Sequence, residues 1–359
     1  MIGERLKLAR TAAGLSLREL SAKIDGLVSA QAIGKYERDE MAPISTVRLA
    51  LRKALGVSNN FLIRHDAVAV EGVEFRKRTF TSKKERARLT ALILEAAEKY
   101  GQLEDVLGID AAWQFPNRFP MPVANLTDAE EAADVLRGMW RLADHPIANL
   151  AELIEEHRIK VFPLAMEDGF SGMKGFVRRA DGRRIPFIVV NAKHVGERQR
   201  FTLAHELGHH LLDLSKAADA ERACYRFAGA LLVPAERLKR EVGMFRKDVL
   251  FMPELFGLKP LFGVSAQTII RRCAELKIIP RRVSKTLFEL LDKRGWRQEE
   301  PNPLAPEQPK RFMRLTLRAL GQERVTYSRA AELLGVHLGA LRTSMDRDDA
   351  DVDATTMDR

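Results

Sequence analysis

Two cysteines, Cys224 and Cys273, are all that the chain contains. They cannot form a disulfide framework. No apolar run approaches the roughly 18 residues that a membrane helix requires. The opening residues, Met1 to Lys7, are charged and helix-like and lack the apolar h-region of a signal peptide. These absences argue against a disulfide-stapled secreted domain and against a membrane partner. The expectation is a soluble protein of a reducing cytoplasm. What the chain does have is enough apolar material for real cores. Hydrophobic residues make up 46% of its 359, too many for a disordered chain, and the length suits two or three domains. The net charge of +10 fits a polyanionic partner, although a generally basic proteome would produce the same balance.

The most informative stretch is Phe201-Thr202-Leu203-Ala204-His205-Glu206-Leu207-Gly208-His209-His210, where three of the eight histidines fall. Leu203, Leu207 and Leu211 recur at helical spacing. On a helix, His205 and His209 lie on one face about a turn apart, so two imidazoles can reach one Zn²⁺. Glu206 sits beside that metal, where a carboxylate can take a proton from water that the ion acidifies. The bland alternative is a chance match on an amphipathic helix. A catalytic zinc usually has three protein ligands, so two histidines are one short. The next acidic helical stretch, Asp219 to Pro234, offers Glu221 if a turn over Lys216 to Asp219 folds it back. Asp213 and Asp219 remain open as alternatives. His194, His210 and Tyr225 are candidate auxiliary donors, each with a plainer reading as a surface or core group.

The segment 1–66 reads as five short helices: Glu4 to Ala13, Leu17 to Ile24 capped by Ser16 with Glu19 at capping-box spacing, Ala30 to Tyr36 capped by Ser29, a fourth capped by Ser45 and ending near Gly56, and a fifth around Phe61 and Leu62. Leu6, Ala9, Leu20, Ala22, Ile24, Ile33, Tyr36, Leu49 and Leu55 are the expected core. Two helices joined by a glycine-containing turn in a small basic bundle form the helix-turn-helix pattern.

Residues 67–123 read as a basic helical connector. Val68 to Val70 and Val73 to Phe75 are extended, a basic cluster spans Arg76 to Arg88, a helix runs from Lys84 to Tyr100, and a Pro- and aromatic-rich strap covers 111–122. Residues 124–280 read as the catalytic domain. Thr127 caps a helix to about Leu142, and Asn149 to His157 form another. Three strands follow at 159–164, 172–178 and 185–191, the last two joined at Asp181-Gly182, a hairpin signal. The metal-site helix runs from about Glu197 to Leu214. Residues 281–345 read as a C-terminal helical domain, with a linker marked by Pro301, Pro303, Pro306 and Pro309. Residues 346–359 form an acidic tail, expected to be disordered. The fold class is α+β, mostly helical.

Two resemblances sharpen this reading. Arg5 to Arg10, Gly14 to Ser21, Ser29 to Glu37 and Ala54 to Ser58 resemble the Xre/Cro phage-repressor domains, which bind double-stranded DNA. That resemblance implies that the 30–36 helix enters the major groove with Ser29, Ala30, Gln31 and Lys35 facing base edges. Gln31 would suit adenine and Lys35 guanine. Arg10, Arg18 and Arg38 would contact phosphates. It also implies a homodimer reading two half-sites.

The second resemblance rests on Arg200 to His209, then Glu221, then Phe227-Ala228, Leu231-Leu232 and Pro234. These resemble the ImmA/IrrE family of zinc metallo-endopeptidases and imply a zincin-like fold. The family places its third ligand six residues before the Phe-Ala pair, which is Glu221 here. It commonly carries Asn two residues before the Phe, where this chain has Tyr225. The resemblance implies zinc on His205, His209 and Glu221 with Glu206 as the general base, and a repressor or antitoxin, or the chain itself, as substrate. A substrate segment would add as a strand beside Gly172 to Arg178. The competing expectation is a non-enzymatic regulator or antitoxin whose zinc site is structural or a sensor.

Overall fold

The computed structural model describes residues 2–57, 61–62, 69–72, 83–110, 112–167, 169–179, 181–244 and 252–343. In chain order the elements are α1 (Ile2–Ala12), α2 (Leu17–Lys23), α3 (Ala30–Glu37), α4 (Ser45–Leu55), β1 (Ala69–Glu71), α5 (Lys83–Leu107), β2 (Met121–Pro122), α6 (Leu126–Met139), α7 (Leu150–Glu156), β3 (Lys160–Leu164), β4 (Gly172–Arg178) and β5 (Arg184–Asn191). They continue with α8 (Gly196–Leu211), β6 (Leu212–Asp213), α9 (Ala220–Leu232), α10 (Ala235–Val242), α11 (Met252–Phe262), α12 (Ala266–Glu275), α13 (Arg281–Lys293), α14 (Arg311–Gly321) and α15 (Tyr327–Leu334).

The N-terminal helices close where their caps require. Ser16 and Glu19 form the expected capping box on α2, and the Ser29 hydroxyl accepts from the Ala32 N–H at 3.2 Å. The fourth cap differs from expectation: Ile44 holds the cap position without a side-chain bond, and Ser45 is already helical. Leu6, Leu20, Ile24, Ile33 and Tyr36 are buried as expected, joined by Val47 and Leu51. Leu49, expected in the core, is 47% exposed. It lies about 200° around the helix from Val47, so only one of the two can face inward. Ala22 is also exposed. Of the expected fifth helix, Phe61 and Leu62 are helical and Leu62 is fully buried; its flanks lie outside the described residues. So do 73–75, 76–82 and the 344–359 tail.

A four-stranded sheet in the order β1-β4-β5-β3 forms the centre. The β4–β5 hairpin is antiparallel, with Gly172 opposite Val190, and β3 runs parallel to β5. Pro186 to Val190 reads as one unbroken apolar run because both faces of β5 are covered. Ile188 and Val190 join Leu203, Leu207 and Leu211 of α8. Phe187 and Val189 join Leu89, Ile93 and Leu103 of α5 on the other face. The stretch read as a connector is therefore a layer of the structure. α5 also runs past its expected end at Tyr100, because Leu103 and Leu107 continue the buried stripe. Arg5 of α1 reaches across to Glu98 of α5, both buried. Removing one partner of such a pair costs on the order of 3–5 kcal/mol.

One expected helix start and one expected helix end move by two or three residues. α6 is capped by Asn125 rather than Thr127: Asn125 accepts from the Thr127 and Asp128 N–H groups at 2.8 and 3.2 Å. α8 ends at Leu211, and Leu212 and Asp213 turn into β6, which pairs with β2.

The proline-marked stretch near 301–309 is pinned rather than loose. Buried Lys259 joins Glu197 and Glu300 at 3.2 and 2.9 Å and donates to the Pro301 carbonyl. The Gly196 N–H donates to the Leu304 carbonyl at 2.8 Å, and Glu197 accepts from the Leu304 N–H at 2.9 Å. Arg200 pairs with Glu307, which also accepts from the Ala151 N–H. These bonds clamp the N-terminal turns of α8. Beyond the clamp, Leu315 and Ala319 of α14 and Leu333 of α15 share the core of α5.

Glu155 of α7 is buried where α5, β3 and α14 meet. It accepts from the Tyr100 hydroxyl at 3.1 Å and the Arg311 N–H at 3.3 Å. Burial pushes its carboxyl up from the ordinary 4.5 to about 7, against those bonds and the Lys160 and Arg311 charges. A raised carboxyl keeps its proton in the folded chain after the unfolded chain has released it. Stability is therefore greatest below about pH 4.5 for this group and falls as pH rises through 7. The loss is on the order of 3 kcal/mol at most. Urea unfolding at pH 5 and pH 7 should show a smaller pH dependence in Glu155→Gln than in the wild type. Equal slopes would show that Glu155 is not the titrating group.

Candidate metal centre and DNA interface

α8 is buried along nearly its whole length, including His205 and Glu206. It lies on β4 and β5, where the Gln199 side chain donates to the Asn191 and His194 carbonyls at 3.1 and 2.9 Å. α9 folds back against it after a turn at 216–219. The two helices approach closely at Gly208, where a Cβ would come 3.0 Å from the Phe227 ring and 3.5 Å from Cys224. A mid-helix glycine costs about 1 kcal/mol against alanine. Here it allows that close approach.

The approach brings Glu221, in the first turn of α9, to the two histidines. His205 Nε2 and His209 Nε2 lie 3.1 Å apart, and Glu221 oxygens lie 3.5 and 3.3 Å from them. Ligand atoms about 2.0–2.1 Å from a tetrahedral zinc stand about 3.3 Å from one another. The three groups thus have the spacing and chemistry of a metal-ligand set. His205 is 3% exposed at its side chain and Glu221 48%, so the cluster opens toward solvent on the α9 side.

The two alternative ligands are occupied elsewhere. Asp213 is on β6 rather than on the metal helix, and its carboxylate accepts from the Ser215 N–H at 3.0 Å. Hydrogen bonds from Ser215 hold it below the usual carboxylate range. Asp219 caps α9, accepting from the Arg222 N–H at 2.9 Å. His210 is a fastener of the fold: its Nε2 is 3.0 Å from the Phe187 carbonyl, and burial pushes its pKa down to about 3, leaving it neutral. Tyr225, one turn beyond Glu221, is exposed and lays its ring 4.5 Å from that of His205.

Three contributors escaped sequence reasoning. Gly172 opens β4 against α8: a Cβ there would overlap Thr202 Cγ2 and come 2.7 Å from the Val189 carbonyl and 3.7 Å from Glu206 Cγ. Gly208 and the Glu197, Glu300 and Glu307 clamp are the others. A glycine at a strand start and inside a helix, and carboxylates scattered through a proline-rich stretch, were the available signals. The edge expected to receive a substrate strand is partly taken. β1 pairs with Phe176, Val177 and Arg178 of β4. Gly172 to Gly175 pair only with β5 among the described residues.

In the helix-turn-helix, Ser29, Gln31 and Lys35 are exposed and Ala30 is half-buried along α3. Arg18 and Arg38 are exposed as well, and Arg38 pairs with Glu40 at 2.6 Å. Arg10 differs from expectation. Its guanidinium binds both carboxylate oxygens of Glu37 at 2.6 and 2.8 Å and the Leu15 carbonyl at 2.8 Å. It fastens α1 to α3, with each guanidinium nitrogen already bonded within the domain.

The fold and the site together define a class: a helix-turn-helix, DNA-binding domain joined to a metallopeptidase-like domain. Residues 154–274 match the family model of the IrrE N-terminal-like domain, and residues 6–59 match a helix-turn-helix model. The chain thus carries an IrrE N-terminal-like domain behind a helix-turn-helix domain, the pairing that matches the ImmA/IrrE and Xre-type resemblances. No curated protein matches the chain.

The two kinds of arginine and lysine separate by experiment. Arg10→Ala should lower the stability of the N-terminal helices by on the order of 2 kcal/mol, read as a lower Tm. Lys35→Ala should leave Tm unchanged and weaken a preferred DNA site more than a random duplex. Equal weakening on both duplexes would make Lys35 a phosphate contact.

Proposed function

We propose that this chain is a DNA-binding transcriptional regulator whose second domain is a zinc endopeptidase, cutting a repressor or antitoxin partner or the chain itself. The observation that supports this most is one buried helix, α8, carrying His205, Glu206 and His209, with Glu221 closing the cluster at 3.3 and 3.5 Å. His205, His209 and Glu221 would hold the metal. A zinc ion there supplies a Lewis acid that acidifies water and polarises a carbonyl.

The remaining chemistry belongs to the chain. Glu206 is fixed on α8 between the two histidines and beside the start of β4. There it takes a proton from the attacking water and passes it to the leaving amine. Gly172 to Gly175 would seat the substrate as an added strand, and the half-exposed Glu221 leaves the approach open. His205, Tyr225 and Phe201 form a ring surface beside the cluster, with centroids 4.5 and 5.9 Å apart in turn. On the DNA side, Ser29, Ala30, Gln31 and Lys35 would read base edges while Arg18 and Arg38 hold the backbone, a homodimer reading two half-sites. A non-enzymatic regulator with a structural or sensing zinc is the second reading. It draws on Tyr225 standing over His205 where the family carries Asn.

Glu206→Gln separates the two. Zinc-loaded wild type should fragment itself or cut members of a peptide library, followed by intact-mass spectrometry. The variant should keep zinc and DNA binding and lose roughly 10²-fold or more of the cleavage rate. Unchanged cleavage by Glu206→Gln would overturn the mechanism, and no cleavage by the wild type would favour the non-enzymatic reading.

A further inference from the structure

A second concave site lies where α12 and α13 meet, sharing no residue with the metal cluster. Its cavity measures about 520 Å³, within the range of small-molecule sites. Arg271 of α12, Arg281, Arg282 and Lys285 of α13, and Arg297 just beyond it line the walls. No carboxylate lines it. Lys285 and Arg297 have partners in Glu289 and Asp292 at 3.8 and 3.2 Å. Arg281 and Arg282 have no carboxylate partner among the described residues, while Arg271 acts on Glu275 one turn along its own helix. Cations gathered this closely repel one another unless an anion joins them.

Two further features point the same way. The cavity lies at the N-terminus of the 13-residue helix α13, whose cap residue is Pro280 and which has no side-chain cap. The N–H groups of its first turn are thus free to face an anion. Ser284 also lines the cavity, is 9% exposed, and its hydroxyl makes no hydrogen bond among the described residues. That hydroxyl is open to a ligand seated in the cavity. At one wall the Arg271 and Arg297 guanidinia stand 5.9 and 5.1 Å from the Phe288 ring centre. Two planar cations and a ring offer a stacking surface for a flat base.

We propose that this cavity binds a nucleotide carrying two or more phosphates. The phosphates would lie on Arg281, Arg282, Lys285, the Ser284 hydroxyl and the open helix end, and the base against Arg271, Phe288 and Arg297. The cations are exposed and the cavity is open on one side, and the wall of Arg271, Phe288 and Arg297 is what favours a ligand that carries a base beside its phosphates. Behind the cavity, Arg272 of α12 donates to the Val233 carbonyl at 2.9 Å and pairs with Glu130. The site therefore backs onto the end of the helix that carries Glu221.

The test is calorimetric titration of the full chain with ATP at low salt, beside a random 20-base-pair duplex. ATP should bind, and Arg281→Ser with Arg282→Ser should weaken it by roughly tenfold or more. Ser284→Ala should weaken it by roughly two- to tenfold. Arg281→Lys with Arg282→Lys, which keeps the charge, should retain most of the affinity. Both arginines are exposed, so unchanged Tm values should accompany the losses. No heat at 1 mM ATP (on the order of the weakest useful affinity) would overturn the proposal. So would ATP binding that the serine variants leave intact, or duplex binding that they abolish while ATP is ignored.

Discussion

The structure depends on one close crossing of two helices. α8 presents two histidines a turn apart, and α9 must approach within side-chain reach to add Glu221. Gly208 eases that approach, since a Cβ there would press within 3.0 Å of the Phe227 ring and 3.5 Å of Cys224. The position is tight because interiors are packed to crystal density, so a glycine there sets the distance between the helices. α8 is also held from its N-terminal end. The Lys259, Glu197 and Glu300 cluster and the Arg200–Glu307 pair tie its first turns to a strap from much later in the chain. A metal site needs such support, since ligands displaced by a fraction of an ångström lose much of their affinity.

Around that crossing the sheet acts as a spacer with two different faces. One face meets α8 and the other meets α5, so β5 is sealed on both sides. α5 also carries Glu98, the partner of Arg5 in the DNA-binding helices. The helix that completes the core of the metal domain is thus the one on which the helix-turn-helix rests. A shift of α5 would be felt at both ends. Its far end meets Glu155 and Arg311, so the C-terminal helices touch the same element.

Much of this was legible in the residues. The His205-Glu206-x-x-His209 spacing located the metal helix, and the offset from Phe227-Ala228 pointed to Glu221 through a family resemblance. Capping chemistry located α2 and α3, and Asp181-Gly182 located the β4–β5 turn. What was not legible depended on tertiary partners. Leu49 and Val47 are equally apolar, and only packing decides which faces inward. The Arg10–Glu37 pair spans 27 positions, so Arg10 read as a surface cation until its partner was seen. A proline-rich stretch carries no local sign that its carboxylates will clamp a helix 107 positions earlier. The α5 layer was hidden because a long amphipathic helix beside a basic cluster looks the same whether it covers a sheet or spans solvent.

The claim that most of this account rests on is that α8 and α9 together hold one metal ion. Elemental analysis of protein purified without added metal or chelator tests it directly, beside His205→Ala and Glu221→Ala. The account predicts about one zinc per chain in the wild type and its loss in both variants, with the N-terminal helices still folded. A wild type that binds no metal even after zinc is supplied, or variants that keep it, would contradict the account and leave α8 as a scaffold.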